Sequence, residues 1–299
     1  MIEICNNQLR LIIDPDKGAG TRAFDLYRNG HWVPIMPDTR SPNCDLPFAN
    51  FLMIPYSNRV ENGQFFFENH AYKLAHGDLH SIHGDVRNRK WEILQETIES
   101  ISCTFNSSHN TAINWPWNFC AEASFKLDGL SLHMKLSITN SSQTTMPAGL
   151  GWHPYFNRKI NSNDEQVLLH FPLDGAYPDA HLTRIPSGPL GPLVGDQSFD
   201  PERELLPDNL LDVCCHGFRG GSISWPKSNL RLNISTNSTC KHLVIYNPSK
   251  SDYFAIEPVS NANNGVNLFA QGDQTSGIKV LLPNETLTAT CILQLEEYE

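Results

Sequence analysis

The sequence lacks long apolar runs. None of its 299 residues lies in a stretch approaching a membrane span, and Met1-Ile2-Glu3-Ile4-Cys5-Asn6-Asn7 has neither the basic segment nor the apolar core of a secretory signal. Those absences predict a soluble, cytoplasmic protein with no membrane partner. A basic stripe is missing too. The 22 Lys and Arg are scattered among 32 Asp and Glu, for a formal net charge of -10, which argues against a nucleic-acid partner. The eight cysteines show no disulfide-framework spacing, so in an unexported chain they read as reduced thiols. Without export, the Asn-x-Ser/Thr triplets at Asn106, Asn140, Asn233, Asn237 and Asn284 carry no glycosylation meaning. Nor does any segment of twelve or more residues show a 3.6-residue apolar period, which removes helices as the framework.

Period-two alternation is present instead. Ala123, Phe125 and Leu127 alternate with polar neighbours up to Asp128-Gly129, and Leu132, Met134, Leu136 and Ile138 do so after it, a hairpin signal. The pattern returns at 230–234, 253–257 and 287–293, with shorter runs at 9–13, 64–67, 91–94, 101–105 and 243–246. The expected fold is all-β, a large antiparallel sandwich forming one domain over 1–299, with a binding cleft on the concave side of one sheet. The Pro- and Gly-rich stretch 185–192 reads as a long surface connection, because strands continue on both sides.

Four segments hold polar residues that solubility does not require. Ile54-Pro55-Tyr56-Ser57-Asn58-Arg59 places a guanidinium after a turn, where it can bind vicinal hydroxyls or pin a loop through carbonyls. His76-Gly77-Asp78-Leu79-His80-Ser81-Ile82-His83-Gly84 carries three histidines. A metal would need further ligands at recognisable spacing, and no metal is expected. His76 and His80 read as solvated loop residues, whereas His83 precedes a glycine that would let backbone approach a ligand. In Trp152-His153-Pro154-Tyr155-Phe156 the proline extends the chain at His153 and aromatic rings wall the imidazole; a core histidine bonded to a carbonyl is the other reading. Sugar rings stack on such walls, which makes Trp152 a candidate ligand. Glu257, late in an apolar strand, is costly there unless it faces a cleft or an ionic partner.

Taken together, these segments resemble a known family. Asn58-Arg59-Val60 with Gly63 and Phe65, then Leu79-His80-Ser81-Ile82-His83-Gly84 with Trp91, then His153-Pro154-Tyr155-Phe156, then Glu257-Pro258 with Asn267, are similar in order and spacing to the aldose 1-epimerases. The resemblance covers nearly the whole chain. It implies the galactose mutarotase-like supersandwich, with His153 as general acid, Glu257 as general base, and Arg59, His83, Asn58 and Trp152 around the sugar. Leu211-Asp212-Val213 resembles the family's aspartate segment, which makes Asp212 a substrate ligand ahead of Asp208. The residue after the histidine is Pro154, where galactose enzymes usually carry a small residue, so the sugar is left open.

The implied activity interconverts the α and β anomers of a hexose or related aldose, a small-molecule substrate, by acid–base ring opening and without any cofactor. Arg87, Arg89 and Arg219 lie near these segments and keep a phosphorylated or sulfonated sugar open. Two rivals remain at this level. A non-catalytic sugar-binding sandwich would not require both His153 and Glu257. A glycoside hydrolase would pair Asp212 with Glu257 and leave His153 unused.

Overall fold

The computed structural model describes residues 1–75 and 80–298. His76, Gly77, Asp78 and Leu79 therefore lie outside the described residues. Every paired strand among those described is antiparallel, and the two largest sheets have nine and seven strands. The nine-stranded sheet contains the hairpin Phe119–Asp128 and Ser131–Asn140, in which Ala123 faces Leu136, Phe125 faces Met134 and Leu127 faces Leu132. Gly129, at φ 53°, supplies the backbone that this two-residue turn needs. Outer neighbours extend that sheet through Ser100–Asn106 on one side and Thr286–Glu297 and Leu230–Thr236 on the other.

The seven-stranded sheet carries the site. Its central strands are Leu211–His216, His242–Asn247 and Tyr253–Val259, flanked by Gly175–Ala176, Gly151–Trp152, Leu52–Met53 and Tyr155–Asn157. One core cluster joins both large sheets: Ala121, Phe125 and Leu136 from the first meet Cys215, Leu243, Ile245, Phe254 and Ile256 from the second. The expected all-β sandwich is the fold observed. Among the described residues the one α-helix is Gly265–Ala270, and no helix is long and apolar enough to cross a membrane.

One strand that alternation did not expose has polar residues on inner positions. Gly20–Arg28 is almost wholly buried yet carries Thr21 and Asp25, and Arg10 donates to the Asp25 carboxylate at 2.8 Å. That ion pair interrupts the apolar pattern of a buried strand. The edge strand begins at Glu92 and runs to Glu96, entirely exposed; Trp91, placed in it by its apolar character, is instead a core side chain at 1% exposure. The Pro- and Gly-rich connection is a loop as expected, tied to the sheet where Ala176 and Gly191 exchange two backbone hydrogen bonds at 3.0 Å.

Candidate active site

Strand register decides which side chains meet. Asp212 pairs with Tyr246 and Tyr246 with Ala255, while Cys214 pairs with Val244 and Val244 with Glu257. Successive side chains point to opposite faces, and Val213, Cys215, Ile245, Phe254 and Ile256 fill the core. Asp212, Tyr246 and Glu257 therefore project together from the other face. A second buried cluster, with Phe51, Cys214, Val244 and Val259, lines the base of that face. It opens on a cleft of 560 Å³ bordered by Asn58, Arg59, His80, His83, His153, Tyr155, Arg184, Asp212, Tyr246 and Glu257.

His153 follows the short strand Gly151–Trp152, and its amide donates to the Phe51 carbonyl at 3.0 Å. Its ring stacks on Phe51 at 4.4 Å between centroids and 25° between planes, with Tyr155 at 4.6 Å on another side. In this packing the imidazole Nε2 lies 3.1 Å from Glu257 Oε1. Both groups are deeply buried, at 5% and 2% exposure. Burial, with help from Arg87, pushes His153 down to about 3; burial and nearby Asp212 push Glu257 well above the carboxylate range, against the pull of Arg59. Burial thus favours the neutral form of each group over a pair of separate charges at this contact. Glu257 Oε2, His153 Nδ1, Asn58 Oδ1 and Arg59 Nε are buried there without a protein partner.

The segments around Arg59 and His83 are built against each other. Arg59–Glu61 pairs with His80–Ile82, and the His83 amide donates to the Asn58 carbonyl at 2.7 Å. Asn58 and His83 both take left-handed backbone, at φ 52° and 64°, a conformation costing about 1 kcal/mol or more for residues with a side chain. Arg87 Nη1 donates to His83 Nδ1 at 2.9 Å, which leaves the His83 proton on Nε2. Burial first, then the neighbouring His153, Arg87 and Arg59, hold His83 neutral by pushing it well below its ordinary range. The role expected of Gly84 differs from the one observed. A Cβ there would sit 1.9 Å from the Ile54 carbonyl oxygen, so this glycine admits a neighbouring strand and not a ligand.

At the other end of the cleft, Arg184 Nε donates to Asp212 Oδ2 at 2.9 Å. Burial raises Asp212 while Arg184 opposes the shift. Asp179 holds this loop by accepting from the amides of Thr183 and Arg184 at 2.9 and 2.8 Å, and Asn263 donates to the Arg184 carbonyl at 3.0 Å.

Of the residues expected at the site, His153, Glu257, Arg59, His83, Asp212 and Asn58 border one cleft. Trp152 does not. It points the opposite way from His153 along the chain and lies in the main core at 0% exposure, so it offers no stacking face to a sugar. Arg89 is spent on Asp85 and the carbonyls of Thr111 and Ala112, Arg219 pairs with Asp174 at the surface, and Asp208 is an exposed loop residue away from the cleft. His80, read as a solvated loop residue, borders the cleft through its pairing with Glu61. Sequence reasoning missed Tyr246 and Arg184. The first was recoverable, since alternation within 243–246 sets it on the side opposite Ile245; the second sits in an irregular loop with no periodic signal.

A profile of the aldose 1-epimerases matches residues 29–294. The chain belongs to the aldose 1-epimerase family. Among its relatives is the Escherichia coli protein YphB, uncharacterized, at 24% identity over 89% of this chain and 91% of that one; YihR, also uncharacterized and from Escherichia coli, shares 24% over 89% and 83%. In fold the family member is similar to a galactose mutarotase-like protein from Clostridium acetobutylicum, with a TM-score of 0.86 at 23% identity, covering 99% of this chain and 95% of that one. An aldose epimerase homologue from C. elegans superposes with a TM-score of 0.81 at 17% identity over 100% and 99% of the two chains. The galactose mutarotase-like sandwich is thus the fold of this epimerase-family chain.

Proposed function

We propose that this protein is an aldose 1-epimerase that interconverts α and β anomers of a hexose or related aldose, with His153 as general acid and Glu257 as general base. The observation that carries the reading is the buried contact of 3.1 Å between His153 Nε2 and Glu257 Oε1 at the base of the cleft. In the ionised arrangement Glu257 takes the proton of the C1 hydroxyl. The C1–O5 bond then breaks, its electron pair goes to O5, and His153 Nε2 supplies the proton O5 needs. What results is an open-chain aldehyde beside a protonated Glu257 and a neutral His153, the arrangement that burial favours in both groups. Rotation about C1–C2 presents the other carbonyl face, and the same two transfers in reverse close the ring.

No net proton leaves the site, because ring closure returns one proton to O1 from Glu257 and one from O5 to His153. Arg59 favours the carboxylate form of Glu257 and so keeps the ionised arrangement within reach. Neutral His83, held by Arg87 with its ring 5.2 Å from that of His153, and Asn58 supply hydroxyl partners at the border of the cleft. The hydrolase reading is weaker, because Asp212 is tied to Arg184 and Glu257 faces an imidazole and not a second carboxylate. A binding-only sandwich would have no use for a deeply buried acid–base pair in direct contact. The test is proton NMR exchange between anomers of glucose and galactose, with and without protein. Acceleration over the spontaneous rate supports the epimerase; saturable binding without acceleration supports the binder.

A further inference from the structure

The chain stays buried where the Glu257 strand ends. Ser260, Asn261, Ala262, Asn263 and Asn264 follow Tyr253–Val259 directly, and although four of the five are polar, none is more than 4% exposed. Burying amides and hydroxyls is costly unless each finds a partner, so the partners show what the segment holds. The Ser260 amide donates to the Leu150 carbonyl at 2.8 Å and its Oγ accepts from the Leu150 amide at 2.9 Å, just ahead of the strand that leads into His153. Asn261 Oδ1 accepts from the Ser57 amide at 3.1 Å, and Ser57 Oγ donates to the Asn261 carbonyl at 3.0 Å, beside Asn58 and Arg59. Asn263 Nδ2 donates to the Arg184 carbonyl at 3.0 Å. The Asn264 amide donates to the Arg59 carbonyl at 2.8 Å, and Asn264 Oδ1 accepts from the Glu61 amide at 3.0 Å.

Five consecutive residues thus bond to the His153 segment, to the turn that presents Arg59 and to the loop that presents Arg184. Strand pairing already fixes where Asp212 and Tyr246 stand relative to Glu257. Neither arginine has that support, because Arg59 opens a separate two-stranded sheet and Arg184 lies on an irregular loop with left-handed backbone at Leu182 and Arg184. The segment itself has little room to shift. A Cβ at Gly149 would fall 2.0 Å from Asn261 Oδ1, and one at Gly277 would fall 2.1 Å from the Ser260 carbonyl oxygen. We infer that Ser260–Asn264 sets the distance of both arginines from Glu257, with Asn261 the positioning residue for Arg59 and Asn263 the positioning residue for Arg184. Neither asparagine is among the residues bordering the cleft, so each acts through the backbone it holds. The inference rests on the proposed epimerase reading only for what the two arginines bind. Loss of either link should cost orientation of the bound sugar and leave the proton transfers at His153 and Glu257 as they are.

The experiment reads each arginine separately. The resonance of the Arg184 Nε–H that donates to Asp212 is followed by heteronuclear NMR without any sugar, identified by its loss in Arg184→Gln. Calorimetry gives the Kd, and NMR the anomer exchange, for glucose and galactose. In Asn263→Ala the Arg184 Nε–H should exchange with solvent at least about 10-fold faster, and Kd and KM should rise about 3- to 10-fold with kcat and its pH profile unmoved. Combined with Arg184→Gln, the same change should add less than about 2-fold, since Asn263 acts through Arg184. Asn261→Ala should raise Kd by a similar factor, leave the Arg184 resonance protected and multiply with Arg184→Gln. Asn263→Leu, which keeps the volume, and Ser57→Ala, which cuts the Asn261 link from its other end, replace either alanine variant if it fails to fold. An unchanged Arg184 resonance in folded Asn263→Ala, an unchanged Kd in folded Asn261→Ala, or losses that multiply in the Asn263 double variant overturn the inference and leave the epimerase standing. Wild-type protein that binds sugar without exchanging anomers ends the epimerase reading instead, and the resonance and the Kd still decide the inference.

Discussion

Two carboxylates project from the same face of one sheet and are treated in opposite ways. Asp212 meets a guanidinium at 2.9 Å; Glu257 meets an imidazole at 3.1 Å and keeps its other oxygen buried without a partner. Both are raised by burial, but only Asp212 has a cation in contact to oppose it. A matched ion pair is a fixture: it orders the Arg184 loop and shapes the far end of the cleft. A carboxylate without a matching cation, in contact with an imidazole, has a partner with which a proton can be exchanged directly. On the proposed function, the difference assigns binding to the Asp212 end of the cleft and reaction to the Glu257 end.

Breaking the reactive end should cost most. His153→Asn keeps a small polar side chain but removes the proton donor, and kcat should fall by about 10²- to 10⁴-fold in NMR exchange while the melting curve stays cooperative. Breaking the fixed end should act differently: Arg184→Gln is expected to raise KM by roughly 10-fold or more with kcat nearly unchanged, the split of lost binding that does not grow in the transition state. If both variants lose kcat alike, the division of the cleft is wrong.

Stability against pH sharpens the same contrast. The folded-state pKa of Glu257 lies above its ordinary 4.5, so above pH 4.5 the unfolded chain gains by ionising while the folded one resists. Its contribution to stability is present below that pH and is lost as pH rises toward the folded value. Glu257→Gln escapes the loss. The variant should melt higher than wild type at pH 7, with the gap closing as pH falls toward 4.5. His153 works in the other sense: lowered from 6.5 to about 3, it destabilises the fold as pH falls through that window, and His153→Asn should flatten the acid side of the profile. The smallest effect is expected at Trp152. Packed in the core and away from the cleft, Trp152→Phe should leave KM unchanged and cost stability on the order of 1 kcal/mol, as measured by denaturant unfolding.

Much of this contrast was legible in the sequence, for physical reasons that differ by residue. The hairpin at 119–140 announced itself because one face is apolar and the other wet. Glu257 stood out because a carboxylate in an apolar strand needs a reason. Trp152 misled because aromatic company around a histidine does not say which neighbours share its side of the chain; alternation about His153 answers that, and it sends Trp152 to the core. Arg184 was hidden because irregular loops have no period, and the ion pair it makes spans 28 residues. The strand Gly20–Arg28 was hidden because its buried Asp25 is compensated by Arg10, a partner that only the fold brings near.

In the proposed mechanism Glu257 and His153 exchange protons with the anomeric centre. The anomer exchange rate of Glu257→Gln, beside His153→Asn and the double variant and each checked for native melting, tests this. Either single change should remove most of the catalysed exchange, and the double variant should be scarcely worse, since the two groups act as one unit. Near-normal exchange in folded Glu257→Gln would contradict it.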